Sequence, residues 1–175
     1  MNKYQKEQKK RRWILTVYGS KFFSFPKTFK LRVRAYQKHF NIGKNPIIEH
    51  GVWLQRTHGL EGSILMGDNV LLARNCEIDY SGGVTIRNNV AISEGAIIIS
   101  HSHDLTDPRS KNIIPSSLII EENVWIGTYA QIMAGVNRIG KNAIVSPGSV
   151  VYKDVPDFAI VRGNPAKIIT ILPSF

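Results

Sequence analysis

Aliphatic residues recur along this chain at every sixth position. They fall at Ile42, Ile48, Leu54, Leu60, Met66, Leu72 and Ile78, at Ile86, Ile92 and Ile98, at Ile120, Ile126 and Ile132, and at Ile139, Val145 and Val151. Small or β-branched residues follow four places later in most of these units, among them Val52, Val70, Val90, Ala96, Val124, Ala130, Val136 and Ala143. A helix needs apolar residues at a spacing of about 3.6 and a lone strand at about 2, so a strict six fits neither. It predicts a β-solenoid, in which short strands are joined by tight turns and the leading aliphatic of each hexad points inward. Stacked coils then carry these aliphatics in ladders at the strand spacing of about 4.8 Å. Gly, Asn and Asp between the apolar positions supply turn conformations, including those with positive φ. A sandwich of short strands would instead show turn signals every 8–12 residues or so.

The phase breaks in three places. Eight residues separate Ile78 from Ile86, with Ser81-Gly82-Gly83 between them, and seven separate Ile132 from Ile139. Ile98 and Ile120 are 22 apart. A solenoid accepts extra residues only where they loop outward, and loops on a rigid scaffold are where function concentrates. The loop at 99–119, with its His101-Ser102-His103-Asp104-Leu105-Thr106-Asp107-Pro108-Arg109 string, is therefore the expected seat of chemistry. The solenoid itself is predicted over 41–157. Residues 158–175 are expected to cap the last coil, the apolar tail from Ile168 to Leu172 covering an edge that would otherwise stay unpaired. Residues 1–40 read as a basic extension, disordered over 1–12. Beyond these, Trp13, Ile14, Val17 and Tyr18 share one helical face before Pro26 interrupts.

Composition narrows the class. The 175 residues are 43% hydrophobic, enough for one core, and the single cysteine, Cys76, excludes an intrachain disulfide framework and a cysteine-based zinc cluster. No apolar run approaches the roughly 18 residues of a membrane span, so a cytoplasmic protein is expected. The net charge of +10 is not spread evenly: residues 1–44 hold 13 Lys and Arg against Glu7 alone, and residues 45–175 hold 10 against 12 acids. No recognised nucleic-acid-binding fold presents that charge, and nucleic acid is not an expected partner. Two readings of the basic segment stay open. It is a solvated tail, or residues 9–25 make a peripheral contact with an anionic membrane at its inner face. In the second, Trp13, Ile14, Val17, Tyr18, Phe22, Phe23 and Phe25 enter the interface while Lys9, Lys10, Arg11, Arg12 and Lys21 meet headgroups.

The hexads, the histidine-bearing loop and three strings in order, Asn123-Val124-Trp125-Ile126-Gly127, Lys153-Asp154-Val155-Pro156 and Gly163-Asn164-Pro165-Ala166-Lys167, resemble the hexapeptide-repeat acyltransferases over about residues 42–170. The likeness is nearest to the sugar O-acetyltransferases: galactoside and maltose acetyltransferases and enzymes that acetylate exopolysaccharide sugars. It implies an all-β, left-handed parallel β-helix with three hexads per turn, so that sixteen hexads make a little over five turns, and it implies a homotrimer. It also implies acetyl-CoA as acyl donor, a sugar or glycan acceptor in surface polysaccharide synthesis, and direct attack by the acceptor hydroxyl without an acyl-enzyme.

An alcohol is protonated near neutral pH and needs a base, a role suited to histidine. His103, in the sixth position of the hexad opened by Ile98, stands where the family's base lies; His101 is the second candidate and is otherwise expected at the acceptor. By the same resemblance Asn75 aligns with an acceptor-binding Asn, although a turn Asn in the left-handed region is an equal reading. Asp79 and Tyr80 are expected to line the acceptor site. The resemblance also places Trp125, Thr128 and Ser146 along the pantetheine arm and Lys153 and Lys167 at its phosphates. Pro147 departs from the family pattern, because proline offers no N–H there. His39, His50 and His58 read as structural or surface residues. No metal is expected, since the His-x-His pair lacks the spacing of the zinc enzymes that share this fold. The rival class is a non-catalytic scaffold presenting its basic N-terminus to a partner.

Overall fold

Each hexad forms a strand of two or three residues, and the strands stack into three parallel sheets around one aliphatic column. The computed structural model describes residues 3–57, 60–104, 106 and 112–173. One sheet holds Asn41–Ile42, Ile64–Met66, Val84–Ile86, Leu118–Ile120 and Arg138–Ile139. The next holds Ile47–Ile48, Leu71–Leu72, Ala91–Ile92, Trp125–Ile126 and Ile144–Val145, and continues into the C-terminal strands Ala159–Gly163 and Ala166–Ile171. The third holds Trp53–Gln55, Glu77–Asp79, Ile97–Ile98, Gln131–Ile132 and Val150–Val151. The register aligns like with like: Leu54 pairs with Ile78, Ile78 with Ile98, Ile98 with Ile132 and Ile132 with Val151. These side chains are essentially buried, each contributing about 1.5–3 kcal/mol by leaving water. Five coils result, and Val155 and Val161 begin another. This is the parallel β-helix that the period of six predicts.

Leu60 is the exception. Met66 pairs back to Ile42, so the first coil takes 24 residues and the segment after Gln55 leaves the wall; Leu60 is no rung. Fifteen hexads build the column, not sixteen.

One corner of the helix carries Asn45, Asn69, Asn89, Asn123 and Asn142, all with φ between 52° and 59°. Each donates its Nδ2 to the Oδ1 of the next, at 3.4, 3.0, 3.1 and 2.9 Å. Asparagine tolerates the left-handed region, and its amide can bond its own kind one coil away, so backbone and side chain favour the same residue here. The phase breaks all occur at a different corner, between the third sheet and the first. There Gly62 N bonds Ser81 O, Gly82 N bonds Ser100 Oγ and Gly135 N bonds Ser116 Oγ, so the excursions of successive coils stack on one another.

The N-terminal segment is folded. Helix α1 spans Lys3–Tyr18 and α2 spans Pro26–His39, with a short 3-10 turn at Lys21–Ser24 between them. The disorder expected for the first twelve residues is thus corrected from Lys3 onward. Leu15, Tyr36 and Phe40 join the aliphatic core, and Tyr36 donates its hydroxyl to Val52 O at 2.8 Å. Arg32 is buried, donating to Tyr18 O and Ser20 O at 2.8 Å and to Ile48 O at 3.1 Å, which ties α1, the turn and the first coil together. Ile14 also turns inward, while Trp13 faces out, so the face expected to be shared by Trp13, Ile14, Val17 and Tyr18 is split. At the other end the cap is a hairpin. Ala159 and Val161 are buried, whereas Ile168, Ile169 and Ile171 stay exposed, because the last strand satisfies the sheet edge with its backbone and does not fold across the coil.

Candidate active site

The corner where the excursions stack brings together residues from neighbouring coils. Asp79 ends the strand Glu77–Asp79 and is buried. Its Oδ1 accepts from the Ser81 amide at 3.2 Å and from the Ser81 hydroxyl. Its Oδ2 accepts from the Ser100 amide at 3.0 Å, from the Ser100 hydroxyl at 3.3 Å and from His101 Nδ1 at 2.6 Å. A buried carboxylate needs such donors to stay in place, and here two serines and an imidazole supply them. Because a carboxylate only accepts, Nδ1 is the donor in this pair, and Nε2 is the ring nitrogen turned away from Asp79.

The loop after Ile98 leaves the wall as an antiparallel hairpin, His101–His103 paired with Ile113–Pro115. Ser116 N returns to Ser100 O at 2.9 Å, closing its base, and Gly82 packs so tightly there that a Cβ would strike Ser100 and Ser116. His103 is exposed, and its ring stands edge-on to that of His101, with centroids 5.4 Å apart. Asp104 is held below the usual carboxylate range by the hydroxyl and amide of Thr106. Leu105, Asp107, Pro108 and Arg109 of the expected motif lie outside the described residues, as does His58.

Asp79 and Tyr80 were expected to line the acceptor site, but both are buried. Asp79 holds His101 from beneath, and Tyr80 packs edge-on to Phe40 while its hydroxyl accepts from Arg11 Nη1 at 3.1 Å. Asn75 has φ 57° and its Oδ1 fills the space above Gly51, so the turn role accounts for its placement. It precedes the strand that Asp79 ends. The residues Ser81 and Ser100 were not anticipated. Both stand where a coil departs from phase, next to an expected site residue, which was the available signal.

The residues expected to meet the acyl donor lie further along the helix. Trp125 is exposed on the second sheet, with its Nε1 donating to Ser93 Oγ at 2.8 Å. Thr128 stands at the following turn, where its carbonyl accepts from Gly148 N, and Ser146 N reaches Val161 O. Lys153 is exposed beside the last rung, and Lys167 is exposed opposite Arg162 in the C-terminal hairpin. Pro147 lies against Gly127, whose added Cβ would come within 2.5 Å of Pro147 N. His39 and His50 sit at the N-terminal end, each pushed below the ordinary imidazole range by burial first and then by neighbouring cations. Among the described residues no three of His, Cys, Asp and Glu converge as metal ligands.

Residues 117–153 match the family model described as the hexapeptide repeat of succinyl-transferase. The chain is 36% identical over 109 residues to a putative acetyltransferase, YJL218W, of Saccharomyces cerevisiae, covering 61% of this chain and 55% of that one. It spans about half the length of the curated relatives it matches. The hexapeptide-repeat acetyltransferase VCA0836 of Vibrio cholerae superposes with a TM-score of 0.83 at 23% identity, over 99% of this chain and 95% of that one. A maltose O-acetyltransferase of Clostridium difficile superposes at 0.82 and 24% identity, over 97% and 88%.

Proposed function

We propose, from the premise that this chain is a hexapeptide-repeat protein, that it is an O-acetyltransferase moving an acetyl group from acetyl-CoA to a hydroxyl of a sugar or glycan. The observation that carries the reading is the histidine pair at the hairpin base, one ring fixed by a buried carboxylate and the other open to a substrate. Relatives named as acetyltransferases support it, as does the V. cholerae neighbour's structure with acetyl coenzyme A.

His103 is the general base. Its imidazole takes the acceptor proton as the hydroxyl oxygen attacks the thioester carbonyl, and returns that proton to the departing thiolate, so the products are the ester and free CoA. His101 and Asp79 are positioning residues that hold the neighbouring ring. A second reading makes His101 itself the base, favoured by its Nδ1 bond to Asp79, which leaves Nε2 oriented. His103→Ala is expected to lower kcat by about 10² or more with the protein still folded, and His101→Ala to be milder. Reversed effects assign the base to His101. Absence of thiol release with every acceptor, in protein that remains folded, rejects the enzyme in favour of the scaffold.

CoA is read as lying along Trp125, Thr128 and Ser146 with its phosphates near Lys153 and Lys167. Lys167→Ala should raise the KM for acetyl-CoA more than that for the acceptor, because the lost contact is remote from the carbonyl; an unchanged KM removes Lys167 from the site. The assembly is a homotrimer in this reading, supported by the apolar side chains Ile47, Leu65, Ile119 and Trp125 left exposed on the outer faces of the sheets. Light scattering should give three times the 19.7 kDa of one chain; a monomer mass rejects it. The proposed location is the cytoplasm, at the inner membrane face. Among the described residues no helix is long and apolar enough to cross a membrane.

A further inference from the structure

Between α1 and the first coil lies a cleft of about 650 Å³, within the range of small-molecule sites. Lys9, Arg11, Arg12 and Arg56 line it together with Trp53 and Gln55, and among the described residues no carboxylate does. Four cations facing one cleft form a concentrated positive field that is worth more inside a concavity than on an open face. Arg11 is held in place: Nη2 pairs with Glu7 at 2.8 Å, Nη1 donates to Tyr80, and the guanidinium lies 5.5 Å from the centre of the Phe40 ring. Lys9 and Arg12 are exposed at the rim. The field extends past the cleft, since Lys10, Lys38 and Arg11 add to burial in pushing the His39 imidazole down.

The cleft is coupled to the histidine pair through the third sheet. Gln55 lies in register with Asp79, its carbonyl accepts from Tyr80 N at 2.9 Å, and Asp79 bonds His101. The strands Trp53–Gln55, Glu77–Asp79 and Ile97–Ile98 are successive neighbours, and His101 follows the last, so the strand that lines the cleft lies two strand spacings, about 10 Å, from the strand that leads to His101. A hexose joined to a diphosphate spans that gap. Arginine and lysine are the side chains suited to phosphate, by fork geometry and by point charge respectively.

We propose that this cleft holds the diphosphate of the acceptor, so that the substrate is a sugar carried on a diphosphate, nucleotide-linked or lipid-linked, and not a free sugar. The inference deepens the acetyltransferase reading and rests on it for the reacting end alone; the anion site can be tested without acetyl transfer.

The first measurement is calorimetric titration of the full chain with inorganic pyrophosphate at low salt. Arg12→Gln, and separately Lys9→Glu combined with Arg12→Glu, should weaken binding, the double variant at least tenfold, with the thermal melt checking that each is folded. The second is acetyl transfer to a free hexose, a nucleoside diphosphate hexose and a lipid diphosphate hexose. KM should be at least tenfold lower for one of the diphosphates, and the better of the two identifies the carrier. The double variant should erase that advantage. Unchanged pyrophosphate affinity in a folded double variant overturns the site, and so does an increase confined to the KM for acetyl-CoA, which would make this a donor phosphate site. Pyrophosphate binding without acetyl transfer to any acceptor leaves the anion site standing and removes the acetyltransferase reading.

Discussion

Asp79 accepts from two serine hydroxyls, two backbone amides and one imidazole, so its position is determined from every side. Replacing it with Asn keeps the shape but puts an NH2 against donors on one edge, and His101 Nδ1–H loses its acceptor. Asp79→Asn is therefore expected to cut kcat by about tenfold or more while the KM for acetyl-CoA holds, as a positioning residue should; a change in KM alone would mean that the pair serves binding. Cys76 is the contrasting case of a residue with no chemistry to offer. Burial pushes its thiol up to about 12, and Sγ donates to Ser93 O at 3.1 Å. Thiols react as thiolates, so native protein at pH 8 should not colour Ellman's reagent until it is unfolded; prompt reaction would contradict the burial. At this scale the sequence was partly legible. Hexad phase located both histidines, because the phase fixes where the loop leaves the wall. It did not reveal that Asp79 and Tyr80 face inward, since that depends on how the Ser81–Gly83 excursion folds beneath the hairpin of the next coil.

The turns decide the elements. Asn123 has φ 59° and bonds Asn89 on one side and Asn142 on the other. Asn123→Ala loses both amide bonds and strains an L residue in the left-handed region, for about 2 kcal/mol by denaturant melting. Asn123→Gly relaxes the backbone but still loses the ladder, so its cost should be smaller. Equal losses in the two variants would show that the side-chain ladder alone matters. Further along the stack Arg138 spans three coils, pairing with Glu121 at 3.2 Å and Asp157 at 2.5 Å. The Arg138 hydrogen bond is the first cause holding the Asp157 carboxyl below its ordinary range. The unfolded chain thus takes up more protons there, and the bridge's small contribution is complete above the ordinary carboxylate pKa and fades as pH falls through the depressed one. The column was readable from sequence because burial demands an aliphatic at every rung. Leu60 misled for an arithmetic reason: Leu54 and Met66 are twelve apart, so an excursion that happens to equal one hexad leaves the count unbroken. Gaps of seven, eight and 22, which exceed a hexad by one, two and sixteen residues, do not hide in this way.

The whole molecule places its charge and its open aromatic surface at one end. Composition located the basic segment but could not say that it folds, because Lys-rich helices declare themselves only through what they cover. Here Leu15, Arg32, Tyr36 and Phe40 close the first coil, so removing residues 1–39 would expose Ile48, Val52 and Leu54 and test stability more than any contact. What remains outside is an aromatic run: Trp13 stands edge-on to Tyr18 at 6.3 Å, Tyr18 meets Phe23 at 4.8 Å, and Phe23 meets Phe22 at 5.3 Å. Trp13, Phe22 and Phe25 are 59%, 66% and 65% exposed, with Lys21 and Lys27 beside them. Large exposed aromatics ringed by lysine suit the interface of an anionic bilayer, where each nearby cation contributes on the order of 1 kcal/mol. The proposed membrane contact is therefore assigned to this run and not to Ile14, which is buried. Replacing Trp13, Phe22 and Phe25 together with Ser leaves the core and the basic count intact. The full chain should co-sediment with vesicles of anionic lipid at moderate salt and not with neutral ones, and the triple variant should lose most of that binding with its melting temperature little changed. Equal sedimentation of the two proteins would leave only lysine attraction, and no sedimentation of either would reject the membrane contact.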